Sequence, residues 1–282
     1  MSMNIRLTAF LIFAFASTCF SQSDYERYNW KFFSSNKPSV EFSYGLSEIR
    51  LNTSPVGLSD AGMFELRLGF TEQKKTKYRK DVVDFNNGYI SLSTASDEYI
   101  SKNPSATSVN SSMWRFGFGN KSGYGLKLGS VSILPYNSIS FEWTELKYEN
   151  NTAIPDSNFM TLNDFNGTFR FGTSTEAGLN FQLFKGFSIS PMYQISDVFP
   201  RHLFGKQSLS TLIELSGLVL LDAFTRQIIR NSAVAGVFVD FILKNAYEYG
   251  FYQLRKDQMN WPFTSTAPLR YSTFKIGMNF VF

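Results

Sequence analysis

The chain has 282 residues, a formal net charge of +4, a single Cys and a single His, with 18% charged residues. So weak and evenly spread a positive charge excludes a nucleic-acid binder, and one His with one Cys leaves too few ligands for a zinc centre, so no cofactor is expected. Its 17% aromatic content, with 30 Phe and 14 Tyr, exceeds the needs of one buried core and implies a surface that favours aromatics.

Residues 1–21 read as a secretory signal peptide: Arg6 precedes an apolar run at 7–16, and small or polar residues follow. Cys19 and Ser21 stand at minus three and minus one of a cleavage before Gln22, with cleavage after Ala16 as the runner-up. A lipid anchor on Cys19 competes, but Thr18 is bulkier than the residue expected before a lipidated Cys. Removal of the leader leaves no cysteine, so no disulfide is expected in residues 22–282. Beyond the leader no run is expected to reach the ~18 to 20 apolar residues of a membrane helix, because Asp222 and Asp240 interrupt the best candidates.

From there the pattern alternates with a period of two, large on one side and small or polar on the other. Val40, Phe42, Tyr44 and Leu46 alternate with Glu41, Ser43 and Gly45; Phe64, Leu66, Leu68 and Phe70 alternate with Glu65, Arg67 and Gly69. Ile90 and Leu92 form a weaker candidate, followed by Trp114, Phe116 and Phe118, then Tyr124, Leu126 and Leu128. Ile139, Phe141 and Trp143 come next, then Phe169 and Phe171, Leu179 to Leu183, Phe187 to Tyr193, and Phe274 to Phe282. Tight reversals are expected at 120–123 and at Lys185 and Gly186, with long polar connections at 51–62, 71–88, 94–111 and 147–163. Residues 206–256 abandon the alternation and read as two helices broken at Asn231 and Ser232, both apolar nearly all round.

A soluble sandwich would alternate in the same way, strand by strand. The end of the chain is more specific. Phe274, Ile276, Met278, Phe280 and Phe282 share one face, and the strand stops on the aromatic residue. Lys275, Gly277, Phe280 and Phe282 resemble the terminal β-signal of bacterial outer-membrane β-barrel proteins, in which a polar residue, a glycine two positions on, and two hydrophobic or aromatic residues close the last strand. The resemblance implies the cell outer membrane as location, with the lipid bilayer and the barrel-assembly machinery as partners. It covers eight residues directly.

The fold expected is an all-β transmembrane antiparallel barrel of about ten strands, range 8–12 at ~9 to 11 residues per crossing, with the helical insert 206–256 before the last strand. Bulky alternate residues then face lipid. The lumen charges are Glu41, Glu65, Arg67, Arg115, Lys127, Glu142 and Arg170, joined by Lys275; their mixed signs favour ion pairs across the lumen over a selectivity lining. Glycines fill much of the same inward face and imply close approach of another element. Three placements of the insert compete: a lumen plug, which the glycines favour, a cap on one rim, or strands misread as helix. As a plug it would seek Arg67 or Arg170 as partners for Asp222 and Asp240.

His202, near Asp197 and Ser208, shows none of the spacing of a Ser-His hydrolase and reads as a rim residue. Lys74, Lys75, Lys77, Arg79 and Lys80 read as a solvated loop over a lipopolysaccharide contact, and the Asp and Asn residues at 156–166 match a calcium loop in composition but not in spacing. The leading function is a non-enzymatic outer-membrane barrel, either a narrow or plugged passage for small solutes or lipids or a structural barrel. A lipid-modifying enzyme and an accessory subunit of an export or uptake complex are the alternatives.

Overall fold

The computed structural model describes residues 37–54, 56–76, 81–100, 108–148 and 159–282. The leader, Lys77, Arg79, Lys80, Asp156 and Asn158 lie outside the described residues. Eight strands close an antiparallel barrel: β1 (Lys37–Arg50), β2 (Ala61–Lys75), β3 (Val82–Ser96), β4 (Ser111–Leu128), β5 (Val131–Tyr148), β6 (Phe169–Phe184), β7 (Phe187–Val198) and β8 (Leu269–Val281). Each strand pairs with its neighbour in sequence, and β1 pairs with β8 from Ser39 opposite Val281 to Arg50 opposite Arg270. The strand total falls inside the expected range.

Connections are short at one rim (76–81, 129–130 and 185–186) and long at the other, so β1 starts and β8 ends at the short-turn rim. Gly129 and Gly186 take positive φ at two of these turns. The reversal expected at 120–123 is not there: Asn120 to Gly123 lie mid-strand in the 18-residue β4, all paired to β3 and the first three also to β5, and the chain turns after Leu128 instead. Similarly, the loop expected over 71–88 shrinks to 76–81, because the polar residues Glu72, Gln73, Asp84 and Asn86 pair with one another's strands.

The alternation is inverted relative to a soluble protein. Large side chains face out: Phe42, Leu46, Phe64, Ile90, Trp114, Phe274 and Met278 are each about half exposed on the outer wall. Such a continuous apolar belt would aggregate in water and is stable in hydrocarbon, where closure of the sheet leaves no unpaired backbone edge. The inward set is mostly small or charged at mid-height, with larger apolar residues toward the two ends, and most of it is buried.

Helix α1 (Phe204–Asn231) and helix α2 (Ala233–Arg255) break at Ser232, whose amide donates to the Ile228 carbonyl at 2.8 Å. The hairpin does not plug the lumen. Helix α2 packs on β4, β5 and β6, and it meets residues of outward parity: the Tyr252 hydroxyl donates to Thr173 at 3.1 Å, while Ile229, Ala233 and Val237 bury Val82 and Tyr124. Since Tyr252 lies near the long-loop rim and Val237 near the short-turn rim, the hairpin runs the height of the barrel along its outer wall. Helix α1 lies against α2, and in contrast to the sequence expectation it is long and apolar enough to cross a membrane. Its 28 residues extend about 42 Å, and Leu220 and Phe224 are exposed away from the barrel. Asp222 does not interrupt this span because its carboxylate is spent within the hairpin, on Arg226 at 2.7 Å and Lys244 at 2.8 Å.

Candidate functional site: a sealed lumen and a polar seam

The lumen is filled in layers. At its waist four cations, Arg67, Lys121, Lys275 and Arg115, meet four carboxylates, Glu41, Glu65, Glu176 and Glu142. Arg67 on β2 reaches across to Glu176 on β6 with two donated bonds of 2.8 and 2.6 Å, and lies 3.0 Å from Glu65. Lys275 on β8 donates to Glu65 at 2.6 Å and to the Gln194 side chain at 2.8 Å, with Glu176 at 3.0 Å. Lys121 on β4 donates to both Glu41 oxygens, at 2.7 and 2.6 Å. Arg115 is 3.3 Å from Glu142, whose Oε1 also accepts from Ser140, Ser174 and Gln194.

Aromatic faces replace lost hydration: Arg67 lies 4.6 Å over Tyr89, Lys121 5.0 Å over Tyr136, and Arg115 4.9 Å over Tyr271. Desolvated charges survive only when paired with good geometry, and this set achieves it with equal numbers of each sign. Among the expected lumen charges, Glu41, Glu65, Arg67, Arg115 and Glu142 join the network. Lys127 and Arg170 do not. Lys127 points inward by parity but falls at the exposed short-turn rim, and Arg170 is half-buried at the opposite rim with its Nε unpaired.

Inward glycines make room for these lumen side chains, not for a helix. A Cβ on Gly178 would stand 2.3 Å from the Tyr136 ring, whose hydroxyl donates to Glu176 at 3.0 Å.

Above the waist, toward the long loops, the lumen is closed by an apolar lid. Inward strand residues Ile49, Met63, Met113, Leu146 and Tyr271 pack with Val56, Val109, Phe159, Leu162 and Phe165 from the connections. Phe159 stacks on Tyr148 at 5.6 Å between ring centroids. Below the waist, Phe85, Leu134 and Tyr136 form a further apolar layer.

The second polar region lies between hairpin and outer wall. Asp240 accepts from Thr225 at 2.6 Å and pairs with Lys244 at 2.8 Å, so Asp222 and Asp240 find Lys244 and Arg226 in place of Arg67 or Arg170. Nearer the long-loop rim, Arg255 pairs with Glu214 across the two helices at 2.9 Å. On the barrel wall Arg270 pairs with Asp197 at 2.7 Å, and it also donates to the Tyr252 carbonyl. A Cβ on Gly217 would meet the Tyr247 hydroxyl at 2.2 Å, so a glycine there permits the close helix crossing.

Of the residues weighed for hydrolytic chemistry, His202 is exposed and packs its ring 5.7 Å from Phe171, Asp197 is occupied by Arg270, and Ser208 is exposed on α1. The structure does not bring them together. Among the described residues no group of His, Cys, Asp and Glu is arranged to hold a metal ion.

In the terminal strand, Lys275 is fully buried in the waist network, and Gly277 faces Met192. Phe280 lies outside against Phe187 at 5.2 Å, and Phe282 is exposed while its amide donates to the Pro38 carbonyl at 2.9 Å.

No family model and no curated protein matches the chain. Solved structures similar to it include neisserial surface protein A, at 8% identity and a TM-score of 0.43, covering 87% of this chain and 97% of that one. Ail, the attachment invasion locus protein of Yersinia pestis, is similar at 8% identity and a TM-score of 0.33, covering 88% and 99% of the respective chains. The outer membrane protein AlkL, solved in lipid bilayers, is similar at 8% identity and a TM-score of 0.32, covering 88% and 90%. At this identity no residue role carries over from any of them.

Proposed function

We propose that the chain is a sealed, non-conducting outer-membrane barrel, a structural scaffold that holds a membrane-embedded helical hairpin on its outer wall and serves as an accessory subunit of an envelope complex. The observation that carries this reading is the closed lumen beside an elaborated exterior. A passage needs a wet path, and here the apolar lid and the charge-balanced waist both stand across it. The half-exposed outer belt supports the membrane location. Lys275, Gly277, Phe280 and Phe282 act as the signal read by the barrel-assembly machinery in this reading, and no catalytic role is assigned to the chain.

Planar-bilayer recording tests it. Purified barrel should give no conductance steps, and deletion of residues 204–255 should leave that unchanged, because the hairpin lies outside the lumen. Steps that appear on deletion would reject the sealed-lumen reading.

A further inference from the structure

Among the described residues, the seam between hairpin and barrel contains one carboxylate more than its cations balance. Five charged groups gather near the long-loop rim: Glu214 on α1, Glu248 and Arg255 on α2, Asp197 on β7 and Arg270 on β8. Arg255 is committed to Glu214 at 2.9 Å and Arg270 to Asp197 at 2.7 Å. Glu248 is left over. It is 1% exposed, and neither of its carboxyl oxygens meets a donor in hydrogen-bonding geometry.

The other polar groups facing Glu248 bring no positive charge. They are Thr175, on the outer face of β6, and the carboxyl group of Glu214 from α1. One turn along α2, Tyr252 donates to Thr173, and Lys244, one turn the other way, is spent on Asp222 and Asp240. Arg255 retains unpaired Nε and Nη1. Even if it turned toward Glu248, one guanidinium would still serve two carboxylates.

An isolated carboxylate removed from water costs far more than its neutral acid, and the cheapest neutralising ligand in hydrocarbon is a proton. We propose that the seam is a proton-binding site: Glu248 holds a proton on its carboxyl group, facing Glu214 and Thr175, and that proton keeps the hairpin docked on the barrel. This rests on the membrane-embedded reading of the hairpin. Loss of the proton leaves two adjacent buried carboxylates with one guanidinium between them, which pushes α2 from the wall. Docking is therefore present at low and neutral pH and weakens as pH rises.

The test uses the full chain in lipid vesicles, with Glu248→Gln as the neutral mimic and Glu214→Gln as its control. Infrared spectra should show a protonated-carboxyl carbonyl band at neutral pH that Glu248→Gln removes, whereas Glu214→Gln, which frees Arg255 for Glu248, should lower the pH at which the band is lost. A nitroxide pair on α2 and the outer face of β6 should separate on alkalinisation in the parent chain and not in Glu248→Gln. Absence of the band, its persistence in Glu248→Gln, or identical spin separations in parent and Glu248→Gln would each overturn the proposal. Chain that needs no detergent or vesicle to stay monomeric would instead reject the membrane reading beneath it.

Discussion

Replacing Arg67 by Met removes the most connected cation of the waist and retains most of its volume. Glu176 then loses both of its bonds from Arg67, at 2.8 and 2.6 Å, and Glu65 loses a contact at 3.0 Å. Four carboxylates face three cations. Breaking a buried pair by removing one partner costs about 3–5 kcal/mol, a shift of about 10²- to 5 × 10³-fold in the folded-to-unfolded ratio. Removing Glu176 as well, in Arg67→Met with Glu176→Met, restores three charges of each sign and leaves the Tyr136 hydroxyl with only the weak Met192 sulfur acceptor at 3.6 Å. Even a fully unpaired hydroxyl costs about 1–3 kcal/mol, so the double variant should recover a large part of the single loss. Urea unfolding in lipid vesicles, followed by heat-modifiable gel migration, measures both. If the double variant loses the sum of the two single losses, the waist is not held by mutual charge compensation and the reasoning fails.

Two further outcomes follow from local geometry. Gly178→Ala drives a methyl into the Tyr136 ring and should lower stability by about 1–3 kcal/mol, as overpacking does; Tyr136→Ala lowers the urea midpoint by itself, but the double variant should lose less than the sum of the two single losses. Phe282→Ala changes a side chain that is 72% exposed, so refolded stability should shift by less than about 0.5 kcal/mol. Assembled barrel recovered from cells should nevertheless fall severalfold, a contrast that separates an insertion signal from a packing role.

The strands were legible because lipid contact and a packed lumen demand opposite side-chain sizes on alternate positions. That parity points Glu41, Glu65, Arg67, Arg115 and Glu142 inward, and in the structure their side chains are buried at the waist. Lys121 escaped because Asn120, Ser122 and Gly123 around it have turn chemistry, and only pairing with the neighbouring strands keeps them extended. Glu176 escaped for a different reason. Around it Thr173, Ser174, Thr175, Ala177 and Gly178 are small on both faces, so β6 shows no alternation there.

The position of the hairpin was not legible, because a helix is equally apolar against lipid and against a barrel interior, and glycines that admit Tyr136 look the same as glycines that admit a helix. A usable signal existed in the outward set. Thr173, Thr175 and Asp197 are polar where an acyl chain should lie, and they are the positions that α2, Tyr252 and Arg270 cover or pair.

The ion pairs of the waist join strands that are far apart in the chain: Glu41 with Lys121, Arg67 with Glu176, and Glu65 with Lys275. These three contacts need distant strands to meet across the bore, and before that Arg67 has only Glu65 on its own strand and Glu41 on the next for company. Lys275 comes last, on the strand that locks against β1. Shutting the cylinder and cancelling its interior charge are thus a single cooperative event, and an intermediate lacking β8 would carry an unneutralised acidic interior.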